Sequence, residues 1–371
     1  MIRVLHELSS LDGGGVAKLL YDYYRNIDKE KVHFDFLIYD YYDQGIYEEP
    51  LRKMGCNIFV LPVFKKSKKD CLTRMKRIIR EGKYDIVHSH RGSRGLFILW
   101  FARKYRVPKR IVHSHIAYEP VGRLKRIENK ILSAICERLA TDLFACGKDA
   151  GSYMWGKRNM QAGRVRIMTN AIDTEMFRFS QTIREQKRIE LGLGDDLVVG
   201  IVGRLSPQKN YPFLFESFSK VLPLAPDAKL LIIGRGDLEE ELKTQVVRMG
   251  LSENIRFLGV RNDVNQLLCA LDVFVLPSLY EGLPVVLIEE QSNGLPAIIS
   301  EKITDEMNVT DLIKVVPISG EKSRDNWANS IIEIRRDNVG RECYADKIKD
   351  AGYDIIEEAK KMQEFYSDGR K

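Results

Sequence analysis

Residues 272–300 read DVFVLPSLYEGLPVVLIEEQSNGLPAIIS. An apolar run over 272–276 ends in a turn, a helix opened by proline follows near 284–293, and a second apolar run covers 297–300. Strand, helix and strand in that order make a parallel crossover, since parallel strands need a long, usually helical, connection. The same alternation continues outward in both directions. Towards the N-terminus of this half, strands are expected at 197–203, 229–234 and 254–258, with helices near 210–222, 238–250 and 262–270; another helix follows near 323–336. In the first half, strands are expected at 2–8, 34–40, 58–61, 85–90, 110–115, 142–147 and 165–170. Helices near 16–26, 70–82, 94–105, 124–140 and 148–156 separate them. Such a pattern describes parallel sheets with helices on both faces. At 371 residues the chain exceeds a single comfortable core. The expected fold class is therefore α/β, with two doubly wound, Rossmann-like domains facing each other across a cleft. They would span 1–178 and 179–340, with the polar stretch 170–184 joining them. In such sheets ligands collect at the carboxyl ends of the strands.

Charge marks the same division. Residues 1–178 hold 34 Lys+Arg against 20 Asp+Glu, and the remainder 25 against 32, so the net charge of +7 conceals a basic first half and an acidic second. Basic clusters occur at Lys65, Lys66, Lys68 and Lys69, at Arg74, Lys76, Arg77 and Arg80, at Arg103, Lys104, Arg106, Lys109 and Arg110, and at Arg123, Lys125 and Arg126. A positive face of this kind attracts anionic lipid head groups or nucleic acid. Nucleic acid is disfavoured, because no aromatic–basic interleaving or reading motif accompanies the lysines. No apolar run approaches the ~20 residues of a spanning helix, and MIRVLHELSS lacks the apolar region of a signal peptide. Six scattered cysteines without a CxxC pair fit free thiols in a reducing cytoplasm.

Several turns carry chemistry. In the first half, Gly13, Gly14 and Gly15 lie between a strand and a helix, where backbone N–H groups face outward. The spacing fits neither GxGxxG nor a P-loop. All six histidines fall within the first 115 residues, and four form the pairs His88/His90 and His113/His115 at strand ends. Residues two apart share a strand face. Metal ligation is a possible use of such pairs, but neither is followed by a nearby carboxylate or third histidine. Polar contacts lining a cleft are the preferred reading, and no metal site is expected. In the second half, GRLSPQK places Arg204 and Lys209 just past a strand, as a diphosphate requires. Gly234 and Gly236 mark a turn that either approaches a ligand or simply reverses the chain, and the Val260–Arg261 backbone could face a planar base. Glu281 sits at a strand-to-helix turn beside the N–H groups of Gly282 and Leu283, and Glu289 lies a little over two helical turns further on. The two carboxylates can reach different parts of one extended ligand, each accepting bonds from a pair of sugar hydroxyls.

Together GGGV, the second HSH, GRLSPQK and EGLPVVLIE resemble the family 4 glycosyltransferases, and the resemblance covers nearly the whole chain, with KITDEMNVTDLIKVV similar to the capsular and exopolysaccharide branch. It implies the GT-B fold and a retaining hexosyltransferase using a nucleotide-sugar, commonly a UDP-sugar, with no cofactor or metal. By position it implies that Arg204 and Lys209 bind the diphosphate, Glu289 the ribose and Glu281 the transferred sugar. The Gly282–Leu283 backbone would hold sugar or phosphate, and Gly14 and Gly15 would approach the donor phosphate. His115 falls on the active-site histidine, with His90 a weaker acceptor-side candidate. A C-terminal helix over 341–366 would cross back onto the first domain. The acceptor would be a saccharide on an isoprenoid lipid, reached from the cytoplasmic membrane surface through the basic first half. The sequence departs from the family pattern at Ala17, where Glu is frequent, and at Ala171, where the hinge motif has Gly. Two other readings suit the same architecture: a nucleotide-sugar epimerase or hydrolase, and a non-catalytic nucleotide-sugar-binding regulator.

Overall fold

Thirteen strands, all short and most of them buried, set the architecture of the computed structural model, which describes residues 1–12, 14–41, 45–115, 122–336 and 344–368. Gly13, Cys343 and the start of the expected 341–366 helix lie outside the described residues. The first sheet contains β1 (Ile2–Glu7), β2 (Val32–Tyr39), β3 (Ile58–Leu61), β4 (Ile86–Ser89), β5 (Lys109–Ser114), β6 (Asp142–Ala145) and β7 (Val165–Ile167). Its spatial order is β3-β2-β1-β4-β5-β6-β7, parallel throughout. The second contains β8 (Val198–Val202), β9 (Lys229–Ile233), β10 (Ile255–Gly259), β11 (Val273–Leu276), β12 (Ala297–Ser300) and β13 (Ile313–Val316). Its order, β10-β9-β8-β11-β12-β13, is again parallel. Each sheet winds outward from its first strand in one direction and then in the other. The reversal falls between β1 and β4 in one sheet and between β8 and β11 in the other. Loops diverge there, leaving a crevice at the strand ends.

The chain divides into one compact unit of residues 1–172 and 354–371 and a second of 173–353. The division therefore falls six residues earlier than the expected 178, and the second unit runs past 340. The returning helix is shorter than expected. Residues 345–348 form a separate turn of helix, Gly352 takes φ +84°, and the helix Ile355–Ser367 starts only after that break. Ile355, Ala359, Met362 and Tyr366 repeat at helical spacing and enter the first unit's core among Tyr23, Tyr24, Phe34 and Phe36. Asp354 caps this helix, its Oδ1 accepting from the N–H of Ile356 and Glu357 at 3.1 Å, while the Ile355 N–H donates to the Ile172 carbonyl at 2.8 Å. Replacing Asp354 with alanine is expected to cost about 1 kcal/mol; urea unfolding with an unchanged midpoint would show the cap to be idle.

Two further elements escaped the sequence reading for identifiable reasons. β13 is an edge strand with Lys314 and Val315 exposed, so its apolar signal is weak. The helix Gln181–Glu190 buries no residue. It docks by charge, Arg184 and Arg188 donating to Asp272 and to the carbonyls of Cys269, Ala270 and Leu271 at the end of the helix Val264–Ala270.

Candidate active site

The reversal point of the second sheet brings together the loops after β8 and β11. They are laced by their own hydrogen bonds: the Leu279 N–H donates to the Gln208 carbonyl (2.8 Å), and Asn210 Nδ2 to the Pro277 carbonyl (3.2 Å). Asn210 holds φ +55°, which turns the chain from the 3₁₀ segment Pro207–Lys209 into the helix Tyr211–Ser219. At Gly203 a Cβ would stand 2.8 Å from Lys209 Cε, so the missing side chain is what lets the lysine fold back across the loop.

Lys209 Nζ then reaches Glu281 Oε1 at 2.7 Å, with the two side chains only 12% and 8% exposed. Ser278 Oγ also donates to Glu281 Oε1 (2.6 Å), and Gln208 Nε2 to Oε2 (3.0 Å). A carboxylate has about four acceptor sites, so three protein donors hold Glu281 rigid and leave it one. It therefore cannot take two sugar hydroxyls without giving up a bond, contrary to the sequence expectation. Lys209 keeps two of its three N–H donors for an anion.

The remaining expected residues divide. Glu289 is buried on the helix Val285–Ser292, for which Pro284 is the N-cap rather than the first helical residue. Gly282 and Leu283 lie partly exposed in the loop ahead of it. Arg204 is half exposed and pairs with Asp237 at 3.0 Å, in the turn after β9. Gly234 has φ +136°, and a Cβ there would stand 2.1 Å from the Gly203 carbonyl oxygen. The close approach at Gly234 is thus to the protein's own backbone, which favours the plain-turn reading. The Arg261 side chain is committed, donating to both Asp263 oxygens (2.8 and 2.7 Å) and to Glu190 (3.3 Å). Only its backbone and the exposed Val260 beside it stay available.

In the first unit, Gly14 is the N-cap of the helix Gly15–Asn26, and among the described residues no atom beyond its chain neighbours lies within 4 Å of where its Cβ would stand. Ala17 and Ala171 are both buried, so the two departures from the family pattern pack into the core. The histidines are arranged as no strand reading could foresee. His6 pairs with His88 across β1 and β4, which puts five of the six histidines on one face. His6 Nδ1 meets His90 Nε2 at 3.0 Å, and His90 Nδ1 meets His115 Nε2 at 3.0 Å. His88 and His113 are fully buried, and Tyr366 of the returning helix bonds His88 Nδ1 at 2.8 Å. His90 is also buried, and His115 is partly exposed. Desolvation lowers the pKa of all five, His6 to about 3, so the rings are neutral at neutral pH. On the opposite face, buried Glu7 accepts from Tyr39 and Ser89 at 2.5 Å and lies 3.5 Å from Arg91. Its only sequence signal was a carboxylate inside an apolar strand.

Residues 13–176 match the family model described as Glycosyltransferase Family 4, and residues 183–309 that described as Glycosyl transferases group 1. The EpsF protein of Bacillus subtilis (strain 168), named as a glycosyltransferase, is 33% identical over 98% of this chain and 96% of its own length. The chain belongs to the family 4 glycosyltransferases. A second relative of this glycosyltransferase is the UDP-Gal:alpha-D-GlcNAc-diphosphoundecaprenol alpha-1,3-galactosyltransferase of Escherichia coli, 30% identical over 80% of this chain and 79% of that one. Among solved structures, Anabaena HepE in complex with UDP and glucose matches with a TM-score of 0.80 at 19% identity, covering 99% of this chain and 100% of that one. The enzyme shares the GT-B fold with it.

Proposed function

We propose that this glycosyltransferase moves a hexose from a UDP-sugar to a saccharide carried on an isoprenoid diphosphate lipid, retaining the anomeric configuration, in capsular or exopolysaccharide synthesis. The observation that carries the reading is the Lys209–Glu281 pair at the β8/β11 reversal, with Glu289 buried on the helix that follows. A largely buried cation with donors to spare suits a diphosphate, whose charge grows as it leaves. The choice of UDP and of a lipid acceptor is supported by what the relative from Escherichia coli is named for. In the proposed reaction the bond from the anomeric carbon to the donor phosphate breaks, and a bond to the acceptor hydroxyl oxygen forms on the same face. The departing phosphate takes the hydroxyl proton, giving UDP and the glycoside. Arg204 and Lys209 offset the phosphate charge, Glu289 binds the ribose, and Glu281 and the Gly282–Leu283 backbone hold the sugar; the roles that the family resemblance implies for Gly14, Gly15, His115 and His90 fall to the first unit. No metal ion is needed on the diphosphate, so added magnesium or manganese should leave the rate unchanged.

The test is turnover of labelled UDP-hexoses with and without a lipid-linked saccharide. Product that requires the acceptor supports transfer. Free or epimerised sugar formed without acceptor would instead indicate a hydrolase or epimerase, and binding without turnover a regulator.

Docking of the enzyme on the cytoplasmic face of an anionic membrane is part of the same proposal. Among the described residues no helix is long and apolar enough to cross a membrane. The helix Arg123–Leu139, however, exposes Leu124 (86%), Ile127 (56%), Ile131 (57%) and Ile135 (39%). Spaced by three, four and four, they form one stripe, flanked by Arg123, Lys125, Arg126 and Lys130. Apolar residues framed by cations suit the boundary between acyl chains and anionic head groups. Flotation with phosphatidylcholine vesicles doped with phosphatidylglycerol should carry the enzyme, less so as salt rises. Exchange of Ile127 and Ile131 for glutamate should abolish flotation while leaving transfer to a short soluble acceptor intact. Equal flotation of that variant would remove the stripe from the proposal.

A further inference from the structure

We propose that His6, His88 and His90 form a zinc-binding site inside the first unit, separate from the donor site. The expectation of no metal rested on the lack of a third ligand near either HSH pair. Strand pairing supplies one: in register with His88 on the neighbouring strand stands His6. The three side chains are buried, and each offers a ring nitrogen such that all three lie within 4.8 Å of one another. An ion ~2.0–2.1 Å from each imidazole nitrogen fits a set that tight.

Two independent features point to a ligand. His6 Nε2 and His88 Nε2 are buried with no hydrogen-bond partner among the described residues. Orphaned polar atoms in a core are costly, and a metal bond removes that cost. Tyr366 meanwhile engages His88 at Nδ1, leaving Nε2 as the coordinating atom. A second partner on the far ring nitrogen is how metal-binding histidines are normally oriented. Phe34 and Phe144 line the cluster, with ring centroids 4.2 Å from the His6 ring and 5.6 Å from the His88 ring. An all-imidazole set without thiolate suits zinc, as it does copper and nickel, and the donor type excludes magnesium and calcium. A second trio, His90, His113 and His115, is also close enough to bind. It is less buried, so the first trio is preferred.

The site would clamp β1 to β4 at their ends and seat the returning helix through Tyr366. The experiment uses the full chain without a histidine tag. Cobalt(II) added to the apoprotein should bind at one ion per chain with visible d–d bands, and zinc should displace it. His6→Gln and His88→Gln should abolish the bands. His33→Gln should not, since the sixth histidine pairs with Asp35 outside the cluster. Tyr366→Phe should weaken binding about 10–100-fold. X-ray absorption of the zinc-loaded wild type, which needs no variant to fold, should show at least three imidazole nitrogens and no sulfur. The proposal is overturned if the wild type takes up neither ion, if fewer than three imidazoles surround the zinc, or if the bands survive in His6→Gln and His88→Gln. Sugar transfer is read separately, from UDP release, so failure of zinc binding and failure of the transferase reading are distinguishable.

Discussion

Exchange of Lys209 for alanine should cut transfer about a hundredfold to a thousandfold, the scale seen when one preorganised charge partner of a leaving group is lost. It should also cost the protein stability, because Glu281 loses its only charged partner among the described contacts while staying largely buried. A charge-assisted bond of that kind is worth about 1.5–3 kcal/mol. Ser278 and Gln208 still donate to the carboxylate and hold the loss near the lower end. Low activity alone would therefore be ambiguous. The double replacement Lys209→Ala/Glu281→Ala separates the effects, since removing both partners leaves no unpaired charge. Its unfolding midpoint should lie closer to wild type than that of Lys209→Ala, while its transfer rate stays as low. Recovery of rate together with stability would mean that Lys209 serves the fold alone.

The second large effect concerns the last helix. A chain ending at Tyr353 should fail to form the first unit. The lost segment takes Ile355, Ala359, Met362 and Tyr366 out of its core, together with the Ile355-to-Ile172 backbone bond. At about 1.5–3 kcal/mol for each large apolar side chain, the three large residues amount to roughly the whole stability of a typical domain. A milder probe is Met362→Ala, for which about 2–5 kcal/mol is expected. Urea unfolding followed by fluorescence should show one transition moved to lower urea, the one belonging to the first unit. A soluble 1–353 chain with an undisturbed first transition would show that the helix merely decorates the surface.

Much of the architecture was legible because parallel strands buried on both faces are continuous apolar runs, and because each crossover helix is punctuated by turn residues. Residues 272–300 display all of that within one stretch, and Arg204, Lys209 and Glu281 stand out as charges just past strand ends, with Glu289 on the helix that follows. What stayed hidden were features without an apolar or local signal. The helix Gln181–Glu190 binds through arginines to carbonyls far along the chain, and β13 is half exposed at a sheet edge.

By itself, then, the sequence determined the class of the fold, its division into two units and which charged residues stand near the β8/β11 reversal, since periodicity and turn chemistry are local properties. Only the tertiary structure decided which side chains touch. It paired Lys209 with Glu281 and spent most of the carboxylate's capacity on the protein itself. It turned Gly234 towards Gly203, and it stacked His6 beside two histidines more than eighty residues away. Those outcomes depend on strand order and on which loops meet at a reversal point, and neither is encoded in the spacing of neighbouring residues.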